Sequence, residues 1–262
     1  MIMFSKSFSI LITFLIFLGL TIPLSLWGQV DILDMFENPE GAEAEINLKT
    51  LEIYWSADTY APFGYQGRAL PTQGSLITIN ADLKIVGGNP KSLIYSWFLD
   101  GIFQEAKSGY GRDSFKFGIR RTSGASHTVL LKIFNESRSF YVEKSISIPI
   151  ANPEIVVYYK NNSKVNLPYI ASAKNFEVAS DKEISFLALP YFFNVKSIKD
   201  LEFEWTLGKK SVKESSLIAN IFGLKIVNKE TGGMLEETLK VIATNKSQLN
   251  QAIQKIIKLN IY

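Results

Sequence analysis

The chain states one pattern twice. Leu93–Gly101 reads LIYSWFLDG and Leu201–Lys209 reads LEFEWTLGK. Matching residues keep one offset along the chain. Trp97 and Trp205 stand 108 apart, Ile77 and Ile184 stand 107 apart, Asn135 and Asn245 stand 110 apart, and Ile150 and Ile261 stand 111 apart. A period of this length is far too long for a solenoid and suits one small domain. Two copies of one unit must share a fold.

Composition then removes whole classes of function. The chain has 262 residues, of which 47% are hydrophobic and 13% aromatic, enough apolar material for two cores. Charged residues are 20% and the formal net charge is only +3. That balance lacks the clustered Lys and Arg of a nucleic-acid footprint. There are no cysteines. Disulfides, thiolate metal sites and a cysteine nucleophile are thereby excluded. Exported eukaryotic domains often carry disulfides, so an exported chain without them points to bacteria.

Export itself is read from the N-terminus. Lys6 precedes an uncharged run from Phe8 to Trp27, broken only by Ser, Thr, Gly and Pro. About 20 residues is the length that spans a bilayer core. The basic flank and Pro23 fit a signal peptide, whereas Leu26 and Trp27 fit a small-residue cleavage site poorly. A cleaved leader over residues 1–28 and a retained membrane anchor through residues 8–27 both stay open. No cysteine follows the run, so a lipoprotein is excluded. Residues 29–47 contain six carboxylates and no Lys or Arg, and they read as an acidic linker with a short helix allowed near Ile32–Phe36.

The first domain is expected over residues 48–151. Leu51–Trp55, Leu76–Ile85, Leu93–Leu99, Ser114–Ile119, His127–Phe134 and Tyr141–Ile150 read as strands parted by turn signals. Asp100-Gly101 marks a tight hairpin, because both residues tolerate positive φ. Ala151-Asn152-Pro153 is a short joint, since the residue before proline is pushed to extended geometry. The second domain is expected over residues 152–262. Its strands are Ile155–Tyr159, Glu183–Leu189, Leu201–Leu207, Ser216–Leu224, Leu235–Ala243 and Lys255–Tyr262. Ser247–Lys255 reads either as strand or as a helical turn.

The tryptophans are expected in the cores. Trp97 follows Tyr95 by two residues and Trp205 follows Phe203 by two. Period-2 spacing puts each pair on one face of its strand, where an indole fills the gap between two sheets about 10 Å apart. The W-x-x-D-G pattern of Trp97–Gly101, followed by SGYGRDSFKF and HTVLLKIF, resembles bacterial immunoglobulin-like and PKD-like domains. That resemblance covers nearly all of residues 48–262 and is weaker in the second copy. It implies an all-β fold: two tandem immunoglobulin-like β-sandwich domains after an N-terminal hydrophobic leader helix. The run Phe98-Leu99-Asp100-Gly101 departs from the PKD pattern, and the second copy has Gly208-Lys209. No calcium site or conserved ligand is carried over. The tandem with a leader also resembles envelope proteins of bacteria with reduced genomes, which implies a location more than an activity.

Candidate chemistry is sparse. His127 is the only histidine, so a multi-histidine metal site is excluded. A serine–histidine pair needs an activated serine and an orienting acid, and no G-x-S-x-G occurs. Asp58, Asp100, Asp113 and Glu204 are the carboxylates weighed for acid–base work, with turn and surface positions favoured for all four. Ser108–Gly111 with Arg112 lacks the ending of a phosphate loop. The binding candidates are Tyr60, Phe63, Tyr65 and Arg68 in the first-domain loop, and Tyr191, Phe192 and Phe193 in the second domain. Tyr, Phe and Arg are residue types of binding hot spots, although these rings also suit the ends of a sandwich or the domain joint.

These features together point to an exported, non-catalytic envelope protein with no cofactor. It would act as a structural or adhesive module in a cell-surface assembly of the pilus or secretion kind, with a protein partner in the envelope. Two rivals belong to other classes: a carbohydrate-binding module with an exposed aromatic row, and a carboxylate-dependent hydrolase.

Overall fold

The computed structural model describes residues 45–161, 170–171, 175–178, 183–212, 218–225 and 235–262. The expected leader, the acidic linker up to residue 44 and the helix near Ile32–Phe36 lie outside the described residues. Among the described residues there is no α-helix; three 3-10 turns occur, at Pro90–Ser92, Glu105–Lys107 and Ile198–Asp200. No helix among them is long and apolar enough to cross a membrane.

Residues 44–262 form one compact unit. Its first part holds β1 (Asn47–Ala57), β2 (Leu76–Val86), β3 (Ile94–Leu99), β4 (Ile102–Phe103), β5 (Gly109–Tyr110), β6 (Ser114–Gly118), β7 (Ser126–Phe134) and β8 (Tyr141–Pro149). One sheet has the order β1-β2-β6; the other has β4-β3-β7-β8, with β5 also paired to β3. Chain connections therefore cross between sheets after β2, after β5 and after β6, which is a Greek key of immunoglobulin type.

The second part holds β9 (Glu154–Asn161), β10 (Ile170–Ala171), β11 (Asn175–Val178), β12 (Glu183–Tyr191), β13 (Leu201–Leu207), β14 (Lys210–Val212), β15 (Ile221–Lys225), β16 (Leu235–Asn245) and β17 (Gln248–Ile261). The orders are β10-β9-β12-β15 and β11-β17-β16-β13-β14. β9, β12 and β15 take the places of β1, β2 and β6, and β13, β16 and β17 take those of β3, β7 and β8. Both sandwiches are immunoglobulin-like. Residues 248–255 continue the strand β17, so the helical-turn alternative does not hold: Gln254 pairs with Ile242 and Ala252 with Thr244. Of the expected strand at Ser216–Leu224, the described part forms β15 over Ile221–Lys225, preceded by a turn at residues 218–220; residues 213–217 lie outside the described residues.

Alternation explains both cores. In β2 the buried residues are Ile77, Ile79 and Leu83; in β12 they include Ile184, Phe186 and Ala188. Trp97 and Trp205 are 0% and 2% exposed, and Tyr95 and Phe203 are buried with them. The repeat extends to single bonds. Trp97 Nε1 donates to the Arg112 carbonyl at 2.7 Å and Trp205 Nε1 to the Ala219 carbonyl at 3.1 Å. Each indole packs on a phenylalanine of the opposite sheet, Phe115 at 5.0 Å and Phe222 at 5.4 Å. An indole buried between sheets must hand its N–H to a partner, and both copies use the carbonyl two residues before the next strand of the opposite sheet. The first cluster holds Trp97 with Leu131 and Ile133, the second Trp205 with Val241 and Leu259.

The Asp100-Gly101 turn forms as expected. Asp100 has φ 51° and Gly101 φ 80°, and Leu99 pairs with Ile102 across them. Both central residues at positive φ make the type I′ geometry that matches strand twist.

Candidate functional site

Three places gather the chain's polar and aromatic side chains: the joint between the sandwiches, the turn at Asp100, and the outer face of the sheet holding β3, β7 and β8.

The joint is built from loops at one end of each sandwich. The Tyr60 N–H donates to the Phe193 carbonyl at 2.8 Å, and the Phe192 N–H returns a bond to the Tyr60 carbonyl at 2.7 Å. Beside this backbone exchange lies a network of neutral side chains. Thr72 Oγ1 is 2.8 Å from Asn194 Oδ1 and 3.1 Å from the Phe192 carbonyl, and accepts from Gln251 Nε2 at 3.3 Å. Asn194 Nδ2 donates to the Gln73 carbonyl at 2.7 Å and to Gln248 Oε1 at 3.1 Å. Gln251 Oε1 accepts from the Asn194 N–H and from Asn245 Nδ2. Buried polar groups must be paired in this way. Gly74 is required there: at φ +90° a Cβ would stand 2.9 Å from both Asn194 Nδ2 and Gln248 Nε2.

Most of the rings singled out from sequence meet at this joint. Tyr65 packs edge-on against Tyr191 at 5.5 Å and Phe192 at 5.9 Å. Tyr60, from the first domain, is packed against the second core. Burial raises the Tyr60 phenol, and it pushes Tyr191 up to about 12, helped by the hydrogen bond and charge of Tyr158. Two candidates need correction. Phe193 is 0% exposed and belongs to the second core, and Phe192 is buried as well, held at φ 63°. Neither ring can face a ligand. Residue type alone cannot separate a ring that closes a core from one that faces solvent. Arg68 lies over the Trp55 ring at 4.6 Å. Phe63 is fully exposed and Tyr65 partly so. These rings do not form a flat exposed row.

Two grooves flank the joint. One, of about 310 Å³, is lined by neutral polar side chains including Thr122, Asn152, Gln248 and Asn250. The other, of about 640 Å³, includes Asp58, Lys196 and Asp200.

At the β3–β4 turn, Asp100 Oδ2 stands 2.7 Å from His127 Nδ1 and 3.0 Å from Arg121 Nη2. Asp100 Oδ1 accepts from the Thr128 N–H at 3.0 Å. Partial burial pushes this carboxyl up, but the Thr128 N–H, the His127 hydrogen bond and the nearby His127 and Arg121 together hold it below the ordinary value. His127 and Asp100 are 27 residues apart in sequence. The structure pairs them, and then closes the site: His127 Nε2 is buried and has no hydrogen-bond partner among the described residues, with the Phe117 ring edge-on at 5.3 Å. A substrate cannot reach that nitrogen. Asp58 instead accepts from the Leu76 N–H, Asp113 pairs with Lys91, and Glu204 is exposed on β13. Among the described residues no group of three His, Asp or Glu is placed to share a metal ion.

The outer face was not anticipated. Register aligns Tyr110, Ile94, Phe134 and Tyr141 in one row across four strands. Phe103, Phe98 and Leu130 form a second row. The signal was present: LIYSWFL and HTVLLKIF are apolar on both faces, whereas a half-buried strand alternates.

No family model matches the chain, and no curated protein matches it. Among solved structures it is similar to three N-terminal domains of the bacteriophage RB49 outer capsid protein Hoc, at 14% identity and TM-score 0.42, over 83% of this chain and 59% of that one. It is similar to immunoglobulin domains 1–5 of Sidekick-1 at 10% identity and TM-score 0.30, over 82% and 40% of the two chains. A third likeness, at 8% identity and TM-score 0.23 over 82% and 71%, is to SGBP-B of a Bacteroides ovatus mixed-linkage glucan utilization locus, in complex with a heptasaccharide. The chain thus spans about three fifths of the first of these structures and two fifths of the second.

Proposed function

We propose that the protein is an exported, non-catalytic module of a bacterial cell envelope that holds binding surfaces in fixed relation, as a structural or adhesive subunit with a protein partner. The joint is the observation that carries this reading. Tyr60, Thr72 and Gly74 of the first sandwich interlock with Phe192, Asn194 and Gln251 of the second. A flexible linker would leave those groups to water; here they are spent on holding two sandwiches together. The hydrophobic run at residues 8–27 supplies export, and membrane attachment if it is retained. Sandwiches of this kind offer loops and sheet surfaces to partners.

The test uses the full chain with a tag after Tyr262, in a bacterial host. Recovery in the envelope fraction, with digestion by protease added to intact or outer-membrane-permeabilised cells, is expected. Recovery in the cytosol, protected from protease in both preparations, overturns the reading.

A carbohydrate-binding reading retains one observation, the fully exposed Phe63 beside Tyr65. Retention of the chain on immobilised glycans that is lost in Phe63→Ala would favour it.

A further inference from the structure

The two sandwiches have the same strand order, so their equivalent faces have the same structural duties. Their outer faces nevertheless differ in chemistry. On the second sandwich the outward residues of β13, β16 and β17 include Glu202, Glu204, Lys240, Thr244, Gln254 and Lys258, with Ile242, Ala252 and Ile256 apolar and no aromatic ring among them. On the first, the matching positions carry the two rows of rings and aliphatics described above. Tyr110 is 54% exposed, Tyr141 50% and Phe103 47%, and Phe98, Leu130 and Phe134 are half-buried. A fold that is stable with Glu, Thr and Lys at these positions does not need Phe and Tyr there. Exposed apolar rows bordered by polar residues mark an interaction site.

Between the two apolar rows runs a polar one. Ser96, Lys132 and Glu143 are opposite one another across β3, β7 and β8, and Lys132 Nζ lies 3.7 Å from Glu143 Oε2. This arrangement is complementary to itself. A two-fold axis running parallel to β7 and β8, midway between them, sets Lys132 of one copy against Glu143 of the other. It does so twice, by symmetry. The same operation sets Phe134 against Tyr141, since those residues are also opposite across β7 and β8. An isologous contact needs such a patch. Within the face the Tyr141 hydroxyl donates to Glu143 and the Tyr110 hydroxyl to Glu136. The charges at the rim are mixed, with Arg138 over the Phe134 ring at 4.4 Å, so the face repels its own copy less than a single-sign surface would.

We propose that this face docks a second copy of the chain. The inference deepens the adhesive reading by naming the partner of one surface, and it does not depend on where the chain resides. This axis lays β7 and β8 of one copy over β8 and β7 of the other, and with strands about 4.8 Å apart that rise about 3.3 Å per residue, five facing positions run only ~13 Å along a contact two strands wide. A standard interface takes about 800 Å² from each partner. The self-association is therefore weak and concentration-dependent, a contact that gains strength when many copies are arrayed.

The chain has no cysteine, so one introduced thiol reports on one position. Ser145, exposed on β8 and opposite Leu130, lies close to the axis. The full chain carrying Ser145→Cys, in non-denaturing detergent, is treated with a short bismaleimide over a range of protein concentrations. A cross-linked dimer rising with concentration is expected, while Glu204→Cys on the second sandwich gives none. Adding Lys132→Glu, or Glu143→Lys, lowers the yield about tenfold, as like charges meet at each contact. The double exchange, Lys132→Glu with Glu143→Lys, restores it. Near-ultraviolet circular dichroism confirms that each variant is folded. Absence of dimer at every concentration, or a yield indifferent to the single charge changes, overturns the proposal. So does retention on glycans by a chain that stays monomeric, because the face then serves a different occupant.

Discussion

Asp100 shows how much one side chain does at a turn. It holds φ 51° in the hairpin while its carboxylate accepts from Thr128 and faces His127 and Arg121. Asp100→Asn keeps the turn propensity and removes the charge. Losing one charge-assisted partner of buried groups typically costs about 1–3 kcal/mol, so urea unfolding at pH 7 should show a loss in that range. The folded carboxyl is held below its ordinary value of 3.8. Its contribution is therefore fully present above the unfolded value and is lost as pH falls through the lower folded one. The wild-type and Asp100→Asn curves should converge only in strong acid; a gap unchanged from neutral pH down to pH 2 would remove the charge from the explanation. The indoles make a second case. Trp205→Phe deletes an N–H that satisfies the Ala219 carbonyl and leaves a smaller ring against Phe222. A cost of about 2–4 kcal/mol is expected, between a conservative core change and a full truncation. The equivalent Trp97→Phe should cost a similar amount, because Arg112 and Phe115 repeat the arrangement. Unequal losses of more than about 2 kcal/mol would mean that the two cores are not equivalent in energy.

At the scale of elements, the two copies solve one problem differently. In the second sandwich the outer edge of β17 is covered by β11, which runs parallel to it from Asn175 to Val178. In the first, β8 pairs only with β7 among the described residues. An open edge of nine residues invites pairing with other chains. Lys144 stands in the middle of that edge, where its amine reaches the Leu51 carbonyl and Glu52 Oε2, each at 2.7 Å. It ties β8 to β1 across the gap between sheets and places a charge where an intruding strand would dock. Lys144→Thr should cost about 1 kcal/mol, since Glu52 is half exposed and Lys144 one-third exposed, yet raise concentration-dependent light scattering on mild heating. Scattering equal to wild type would show that the edge needs no such guard. The long strands were legible in sequence because Ile77, Ile79, Ile184 and Phe186 alternate with polar neighbours. The short ones, β4, β5, β11 and β14, were not, because two to four residues carry no period and owe their pairing to distant strands. The outer face was overlooked for a related reason: Phe98, Leu130 and Phe134 gain meaning only when register places them side by side.

At the scale of the molecule, the joint determines whether there are two domains or one mechanical unit. It was the least legible part of the chain, because Thr72, Asn194, Asn245 and Gln251 are far apart in sequence and none is unusual alone. Asn194 is its centre. Its side chain bonds Thr72, Gln73 and Gln248, and its backbone bonds Gln251 and Asn245. Tandem sandwiches that touch lightly melt independently, whereas sandwiches sharing a satisfied polar network unfold together. Calorimetry of the wild type should therefore show one transition over residues 44–262. Asn194→Ala leaves Gln73 and Gln248 short of a partner, at a cost of about 1–3 kcal/mol. Gly74→Ala acts from the other side: its methyl meets the amides of Asn194 and Gln248 at 2.9 Å and its φ of +90° disfavours any side chain. The two variants touch no residue of either core, so each sandwich should keep its own packing. Both should split the single transition into two, with the cores intact by near-ultraviolet circular dichroism. If the wild type already melts in two steps, the network does not couple the sandwiches. If the variants lower one undivided transition, coupling runs through the Tyr60–Phe193 backbone exchange, and the polar side chains only add to it.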